Sequence, residues 1–404
     1  MPSGRMGIFW TLASISEAAV VEFGCMGHNI YSGGNLRRGG IYEGYGAPLY
    51  TTYIDETDIA MGDTSRLKAT IAQVIKNDKP KAIFLQPSAV PEVVGTDMYA
   101  VANELQYDFP DTPLIPLGHG SFAISQQKGV EEALKALAKA LPEEREKTEK
   151  PTYNIIGSCP DLFNFASDSL EIQRLMKGAF DMDIVCDFSS KCSVTDIRNM
   201  PSAHINLVIR REGIPAAKYL QKKFGTPYIY ARPYGIKGTT KWLCDIGEIL
   251  GTEPCKEFID FEENLWKLQY EPGRYTLENN QWQYPDEAVL TIGGHYDVVK
   301  GILTFATTEL PISKGTAWCN CPEMGDEEIP YFSEKEWIPV VQNHDKGYLM
   351  FSGEALKWAG KNTQLQIANP DIAYRMHPYD PPFVGYRDAI NIVNKLLNEY
   401  VLKH

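Results

Sequence analysis

Cys25 is the residue best placed to do chemistry. It stands in Glu22-Phe23-Gly24-Cys25-Met26-Gly27-His28, directly after an apolar run. The two glycines allow tight turns and the close approach of a bulky ligand. A strand-end thiol in that setting suits a thiolate bound to an iron–sulfur cluster. It equally suits a buried free thiol in a βα turn. The eight cysteines are Cys25, Cys159, Cys186, Cys192, Cys244, Cys255, Cys319 and Cys321. Their scatter through a large acidic chain is not that of a secreted disulfide framework, so most are expected as small apolar core residues.

Three further groups have chemical potential. Arg210 and Arg211 follow an apolar strand; two guanidinium groups there suit carboxylate ligands or an anionic cluster, or ion pairs with the chain's own acids. Cys319-Asn320-Cys321 follows Trp318. A C-x-C pair is too sparse for a zinc site, and either approaches a cofactor or is a loop thiol pair. His295, in Gly293-Gly294-His295-Tyr296, sits at a strand-to-helix turn where the helix dipole favours anions. No G-x-G-x-x-G follows a strand and no Walker A sequence occurs, so this chain is not expected to bind ATP itself.

The composition bounds the rest. The chain has 404 residues, 44% hydrophobic and 23% charged, with a net charge of -13. That balance is globular, and its sign argues against a nucleic-acid partner. No apolar run is long enough to span a membrane. Arg5 with Gly7 to Ile15 mimics a short signal segment, but Glu17 interrupts it and a strand follows. A cytoplasmic location is the expectation.

The elements that must position these groups follow one rhythm: a short β-branched run, a turn, then an amphipathic helix. Strands are expected at Ala18–Phe23, Leu49–Ile54, Lys81–Gln86 and Pro113–Leu117, with helices at Thr64–Lys76, Gly95–Leu105 and Gln126–Leu141. A charged stretch, Leu141 to Pro151, reads as a linker. The rhythm resumes with strands at Tyr153–Gly157, Met182–Asp187, His204–Arg210 and Pro227–Ala231. A third block holds helices at Thr239–Leu250 and Cys255–Gln269. It continues with a strand at Ala288–Ile292, a helix from Tyr296, strands near Ile338–Gln342 and Gln364–Ile367, and a closing helix at Arg387–Tyr400. Continuous apolar strands alternating with helices predict parallel sheets covered on both faces. The fold class is therefore α/β, with three Rossmann-like domains in series at residues 1–145, 151–233 and 234–404. In such sheets ligands sit beyond the carboxyl ends of the strands.

Several segments together resemble the nitrogenase component 1 family. They are Gly7–Gly27 (GIFWTLASISEAAVVEFGCMG), Thr51–Gly62 (TTYIDETDIAMG), Pro91–Asp97 (PEVVGTD), Pro113–Ser125, Asn154–Gly157 and Ile205–Val208. Gly225-Thr226-Pro227, Val289–Gly301 (VLTIGGHYDVVKG) and Pro382–Asn391 (PPFVGYRDAIN) continue the series. The matches run in order along nearly the whole chain. The resemblance implies a subunit of a two-component oxidoreductase. It would pair with a paralogous component 1 subunit in a heterotetramer or with itself in a homodimer. A separate ATP-hydrolysing iron protein would deliver electrons to an interface cluster, and no nucleic acid or membrane partner is implied.

By that resemblance Cys25 holds the middle cluster-cysteine position. The family's upstream cysteine has no counterpart in Met1-Pro2-Ser3-Gly4, and its third is replaced in Gln86-Pro87-Ser88-Ala89-Val90. A 4Fe-4S or larger cluster shared with a partner subunit is implied, with Ser88, Ser121 and Ser125 as cluster-proximal oxygens or as turn and cap serines. His377, in Arg375-Met376-His377-Pro378-Tyr379-Asp380, resembles the family's cofactor histidine and would mark a second iron–sulfur cofactor. The companion thiol expected after Ile205–Val208 is replaced by Ile209-Arg210-Arg211. Two other roles stay open: a scaffold that matures an iron–sulfur cofactor, and a non-catalytic partner of a paralogous catalytic subunit.

Overall fold

The computed structural model describes residues 3–25, 46–118, 124–360, 363–369 and 381–403; Ser121 and His377 lie outside them. The chain forms two compact units, Met1–Asp161 with Ile184–Tyr230, and Leu162–Asp183 with Ala231–His404.

The first unit carries two parallel sheets. In the first, β1 (Ala18–Phe23), β2 (Leu49–Thr51), β3 (Ala82–Pro87) and β4 (Leu114–Pro116) lie in the order β2-β1-β3-β4. Every residue of β1 and β3 is buried, as expected for strands covered on both faces. Around them run α1 (Gly4–Ala13), α2 (Glu56–Met61), α3 (Ser65–Asp78), α4 (Ala89–Val93), α5 (Met98–Gln106) and α6 (Gln126–Ala140). The second sheet holds β5 (Thr152–Ile156), β6 (Asp183–Phe188), β7 (Ile205–Val208) and β8 (Tyr228–Tyr230), ordered β6-β5-β7-β8. Helix α7 (Phe165–Phe180) belongs to the second unit, whereas α8 (Val194–Asn199) and α9 (Ile214–Phe224) stay with the second sheet.

The apolar stretch from Gly7 is α1, a buried helix with small residues where it meets α6. A Cβ on Gly7 would fall 2.0 Å from the Gln126 carbonyl oxygen, and one on Gly129 would fall 2.0 Å from that of Gly4. The two backbones thus touch, and only glycine permits it. The charged stretch after Leu141 is irregular but tied down: Lys147 donates to the Pro201 carbonyl at 3.0 Å and to Thr226 Oγ1 at 2.8 Å.

The second unit is built on β9 (Val289–Gly294), β10 (Ser313–Cys319), β11 (Tyr348–Ser352) and β12 (Thr363–Ala368), ordered β10-β9-β11-β12. Its helices are α7, α10 (Ile236–Leu250), α11 (Lys256–Gln283), α12 (Tyr296–Glu309), α13 (Glu334–Gln342), α14 (Gly353–Leu356) and α15 (Gly385–Lys403). Arg174 of α7 bonds Glu171 at 2.7 Å and Glu262 of α11 at 2.6 Å. Gly273 lets α11 pack closely on Leu397 of α15.

The expected strand near Ile338–Gln342 is instead α13. A capping box between Ser333 and Glu336 launches that helix, and a short apolar run alone does not distinguish helix from strand. Helix α11 runs past Gln269 and through Pro272 to Gln283. The three sheets repeat one strand order, first strand beside both second and third. Each therefore has a switch point between its first and third strands, where the connections depart in opposite directions.

Candidate functional site: the switch point of the first sheet

Cys25 and Ser88 follow β1 and β3, which pair in register from Ala18↔Ala82 to Phe23↔Pro87. The Ser88 amide donates to the Phe23 carbonyl at 2.9 Å. A Cβ on Gly24 would lie 2.6 Å from both Ser88 Cβ and Oγ. Gly24 is pinned from the other side, its amide donating to Thr52 Oγ1 at 3.1 Å and its carbonyl accepting from the Ile54 amide at 3.1 Å. The backbone on which Cys25 sits is thus held from both neighbouring strand ends.

The Ser88 side chain is fully buried, and its Oγ finds no hydrogen-bond partner among the described residues. It stands at the N-cap of α4 without capping it. A buried hydroxyl left without a partner is costly, so this oxygen is open to a further donor or acceptor beyond the described residues.

Beneath the strand ends lies a polar floor. Glu22 of β1 pairs with Arg5 of α1 at 2.5 Å, and Gln86 of β3 donates to the Arg5 carbonyl at 2.9 Å. The second Glu22 oxygen has no partner among the described residues. Half-burial raises the Cys25 thiol above its ordinary range, and the carboxylates of Glu56 and Glu22 push it further the same way. A metal taking this sulfur must displace a proton held more firmly than usual. Among the described residues no group of three His, Cys, Asp or Glu ligand atoms gathers at Cys25. The described residues at this strand end offer one thiol and one nearby hydroxyl oxygen, fewer than the four ligands that a four-iron cluster takes.

Arg5, Glu22, Thr52 and Gln86 did not stand out in the sequence. The available signal was a polar residue within each of two otherwise apolar strands, AAVVEF and AIFLQP, in mutual register.

The other candidates are distributed. Ser125 caps α6, its Oγ accepting from the Lys128 amide at 3.3 Å. Arg210, at the switch point of the second sheet, is fully buried and bonds Asp161 at 2.6 and 3.0 Å and Glu212 at 2.7 Å. Its stem lies against Gly157, where φ is +101° and a Cβ would meet Arg210 Cγ at 2.5 Å. This is the ion-pair geometry. Arg211 opens the short 3-10 turn that follows. Cys159, beyond β5, is a core thiol 3.2 Å from Ser189 Oγ, and burial pushes it up to about 11.

In the second unit His295 and Cys319 meet at neighbouring strand ends. Cys319 pairs in register with Gly294, and the Asn320 amide donates to the Gly294 carbonyl at 2.9 Å. His295 caps α12, Nδ1 accepting from the Asp297 amide at 3.3 Å. Cys319 Sγ donates to the Cys321 carbonyl at 3.3 Å, and Cys321 Sγ to Glu323 at 3.1 Å.

Comparison with known proteins gives this arrangement a context. The chain is 27% identical over 261 residues to the nitrogenase iron-molybdenum cofactor biosynthesis protein NifE of Clostridium pasteurianum, covering 63% of this chain and 55% of that protein. It is 29% identical over 202 residues to a subunit of the light-independent protochlorophyllide reductase of Chloroherpeton thalassium, covering 50% of this chain and 36% of that one. The corresponding reductase subunit of Chlorokybus atmophyticus is 26% identical over 393 residues, covering 88% and 74%. Over the first two matches, then, the chain spans about half of the relative's length or less. The solved structure titled "Nitrogenase Cp1 at pH 6.5" superposes with a TM-score of 0.80 at 18% identity, covering 98% of this chain and 92% of that one, a likeness of fold. The sequence profile described as Nitrogenase component 1 type Oxidoreductase matches residues 3–281, so this chain belongs to that family.

Proposed function

We propose that this chain is one subunit of a nitrogenase-like two-component reductase, and that Cys25 is its thiolate share of an iron–sulfur cluster completed by a partner subunit. The reading is supported by the placement of Cys25 and the buried Ser88 oxygen, without a hydrogen-bond partner among the described residues, at the ends of two neighbouring strands. Exposed apolar side chains in the segments following β2 and β3, namely Tyr53, Met61, Val93 and Val94, also fit a face that another subunit covers. When bound, the cluster supplies one-electron storage, fed by an ATP-dependent iron protein.

The chain's own part is to hold the sulfur rigidly through Gly24, to offer Ser88 as a neighbouring oxygen, and to keep Glu22 and Glu56 close by. Those carboxylates disfavour added electrons, so they make a reduced cluster a stronger donor. His295 and Cys319 are the corresponding proposed cofactor- or substrate-side groups in the second unit.

Anaerobic reconstitution of the chain with its partner tests the reading. Cys25→Ala should lose the cluster's visible absorbance and its iron while circular dichroism stays native; unchanged iron would reject the assignment. A scaffold role is the second reading, favoured by the match to a cofactor biosynthesis protein and by Arg210 occupying the strand end where a cofactor thiol was expected. ATP- and reductant-dependent turnover with an iron protein separates the two.

A further inference from the structure

Three tryptophans and a phenylalanine of the second unit make one unbroken row of rings from the interior to solvent. Trp318 stands on β10 just before Cys319 and is fully buried. It pairs with Gly293 of β9, where a Cβ would fall 2.2 Å from the indole. That glycine leaves the indole room over the neighbouring strand. One strand further, Trp318 meets Phe351 of β11 edge-on, at 5.1 Å between ring centres. Phe351 meets Trp337 of α13 edge-on at 5.0 Å, and Trp337 stacks on Trp358, just after α14, at 5.9 Å with 12° between the planes. Phe351 is buried and Trp337 half-buried, whereas Trp358 is 48% exposed. The row thus runs from the strand end of the buried thiols Cys319 and Cys321 to water.

Packing accounts for rings here, at about 0.5–1.5 kcal/mol per aromatic pair. It does not account for three indoles, which give up an electron far more readily than phenyl or aliphatic groups. Trp318 adds a second feature: its buried Nε1–H has no acceptor among the described residues, although a buried indole N–H usually finds one. An oxidised indole is acidic at that nitrogen. With no acceptor there the proton stays, and the electron vacancy stays mobile instead of being trapped as a neutral radical. Trp358, by contrast, has water at hand to take its proton. We propose that Trp318, Phe351, Trp337 and Trp358 form a relay that drains one-electron oxidising equivalents from the strand end beside Cys319 to the surface. The oxidant is an oxygen-centred radical of the peroxyl class, which takes one electron from Trp318 and a proton from solvent to become a hydroperoxide. Trp337 then reduces Trp318 across the Phe351 ring, and Trp358 reduces Trp337. Trp358 releases its indole proton to water, and a thiol in solution returns one electron and one proton to restore it. The relay thereby spares Cys319 and Cys321, which oxygen radicals would otherwise carry up the oxidation ladder.

A photo-oxidant fixed at the inner end tests this. A ruthenium polypyridyl complex is attached at Glu323→Cys, an exposed position whose side chain touches Cys321, in a full chain with Cys25, Cys244 and Cys255 replaced by serine. The labelled chain is illuminated with an electron acceptor, and oxidised residues are mapped by mass spectrometry. Oxidation should collect at Trp358, well above Trp282, an 80% exposed indole outside the row that reports stray oxidant. Trp337→Phe should bring Trp358 down to the Trp282 level and move the damage to Trp318, Cys319 and Cys321. Trp337→Tyr removes the same indole but keeps an oxidisable ring, and it should restore transfer to Trp358. Lost packing and a lost electron step therefore give different results. Trp358 oxidised no more than Trp282 in the parent, or as heavily in Trp337→Phe as in the parent, overturns the proposal.

Discussion

Gly24 and Ser88 are in contact across the ends of β1 and β3: the position a Gly24 side chain would occupy lies 2.6 Å from the Ser88 hydroxyl. Gly24→Ala must therefore push Ser88 aside or bend the strand end that bears Cys25. Overpacking of this kind costs about 1–3 kcal/mol. Chemical denaturation should show that loss, and Ser88→Gly in the same chain should restore most of it. An unchanged midpoint in Gly24→Ala would mean that the strand end yields freely.

Cys25 should be slow to alkylate in the metal-free chain. Its thiol is raised by burial and by Glu56 and Glu22, so the thiolate appears only above the ordinary cysteine range. The pH profile of iodoacetamide labelling at Cys25 should therefore lie to the alkaline side of that of exposed Cys244. Glu56→Gln should move it back toward neutral pH. Coincident profiles for the two cysteines would contradict the electrostatic picture.

Arg210→Ala should cost stability heavily, about 3–5 kcal/mol, because it strands the buried carboxylates of Asp161 and Glu212. Replacing all three charges together, Arg210→Met with Asp161→Asn and Glu212→Gln, should recover most of the loss. Urea midpoints measure both. An Arg210→Ala chain as stable as the parent would return this residue to the ligand reading.

Asp388 gives the second unit a pH dependence of definite sign. It is fully buried, and neither carboxyl oxygen has a well-formed hydrogen bond among the described residues. Burial, then the charge of Asp168, raises it well above the carboxylate range, with Arg232 opposing. A raised folded-state value means that the folded chain holds a proton the unfolded chain releases near pH 4. This contribution is complete below that pH and is lost progressively as pH rises toward the folded-state value. Asp388→Asn should abolish that part of the decline, so the stability difference between variant and parent should grow with pH. A difference constant across the range would rule out the raised carboxyl.

Much of this fold was legible because buried parallel strands announce themselves as short apolar runs; Ala18–Phe23 is bounded in the structure as it is in the sequence. The failures differ in cause, and the fully buried apolar run Tyr348–Ser352 of β11 was not among the expected strands. Strand β10, Ser313–Cys319, lies at a sheet edge, and its Ser-Lys-Gly-Thr half is largely exposed, so no apolar run marks it. Ile338–Gln342 is an apolar run whose helical state is decided upstream by the Ser333 cap. At the candidate site, the strand-end position of Cys25 was legible from the apolar run and glycines around it, and that of Ser88 only through family resemblance. For Arg210 the ion-pair reading was on the page, but its partner Asp161 was not legible, since it lies 49 residues away and meets Arg210 only once the second sheet has formed.

The triad at the second sheet's switch point has a consequence for chemical rescue. Asp161 and Glu212 form a socket cut to the shape of a guanidinium, filled by the chain's own Arg210. Truncating that side chain to glycine or alanine vacates the socket without removing its two carboxylates. Free guanidinium-type cations such as methylguanidinium should then re-enter and restore folding at concentrations too low to denature, while ammonium, lacking the planar fork, should not.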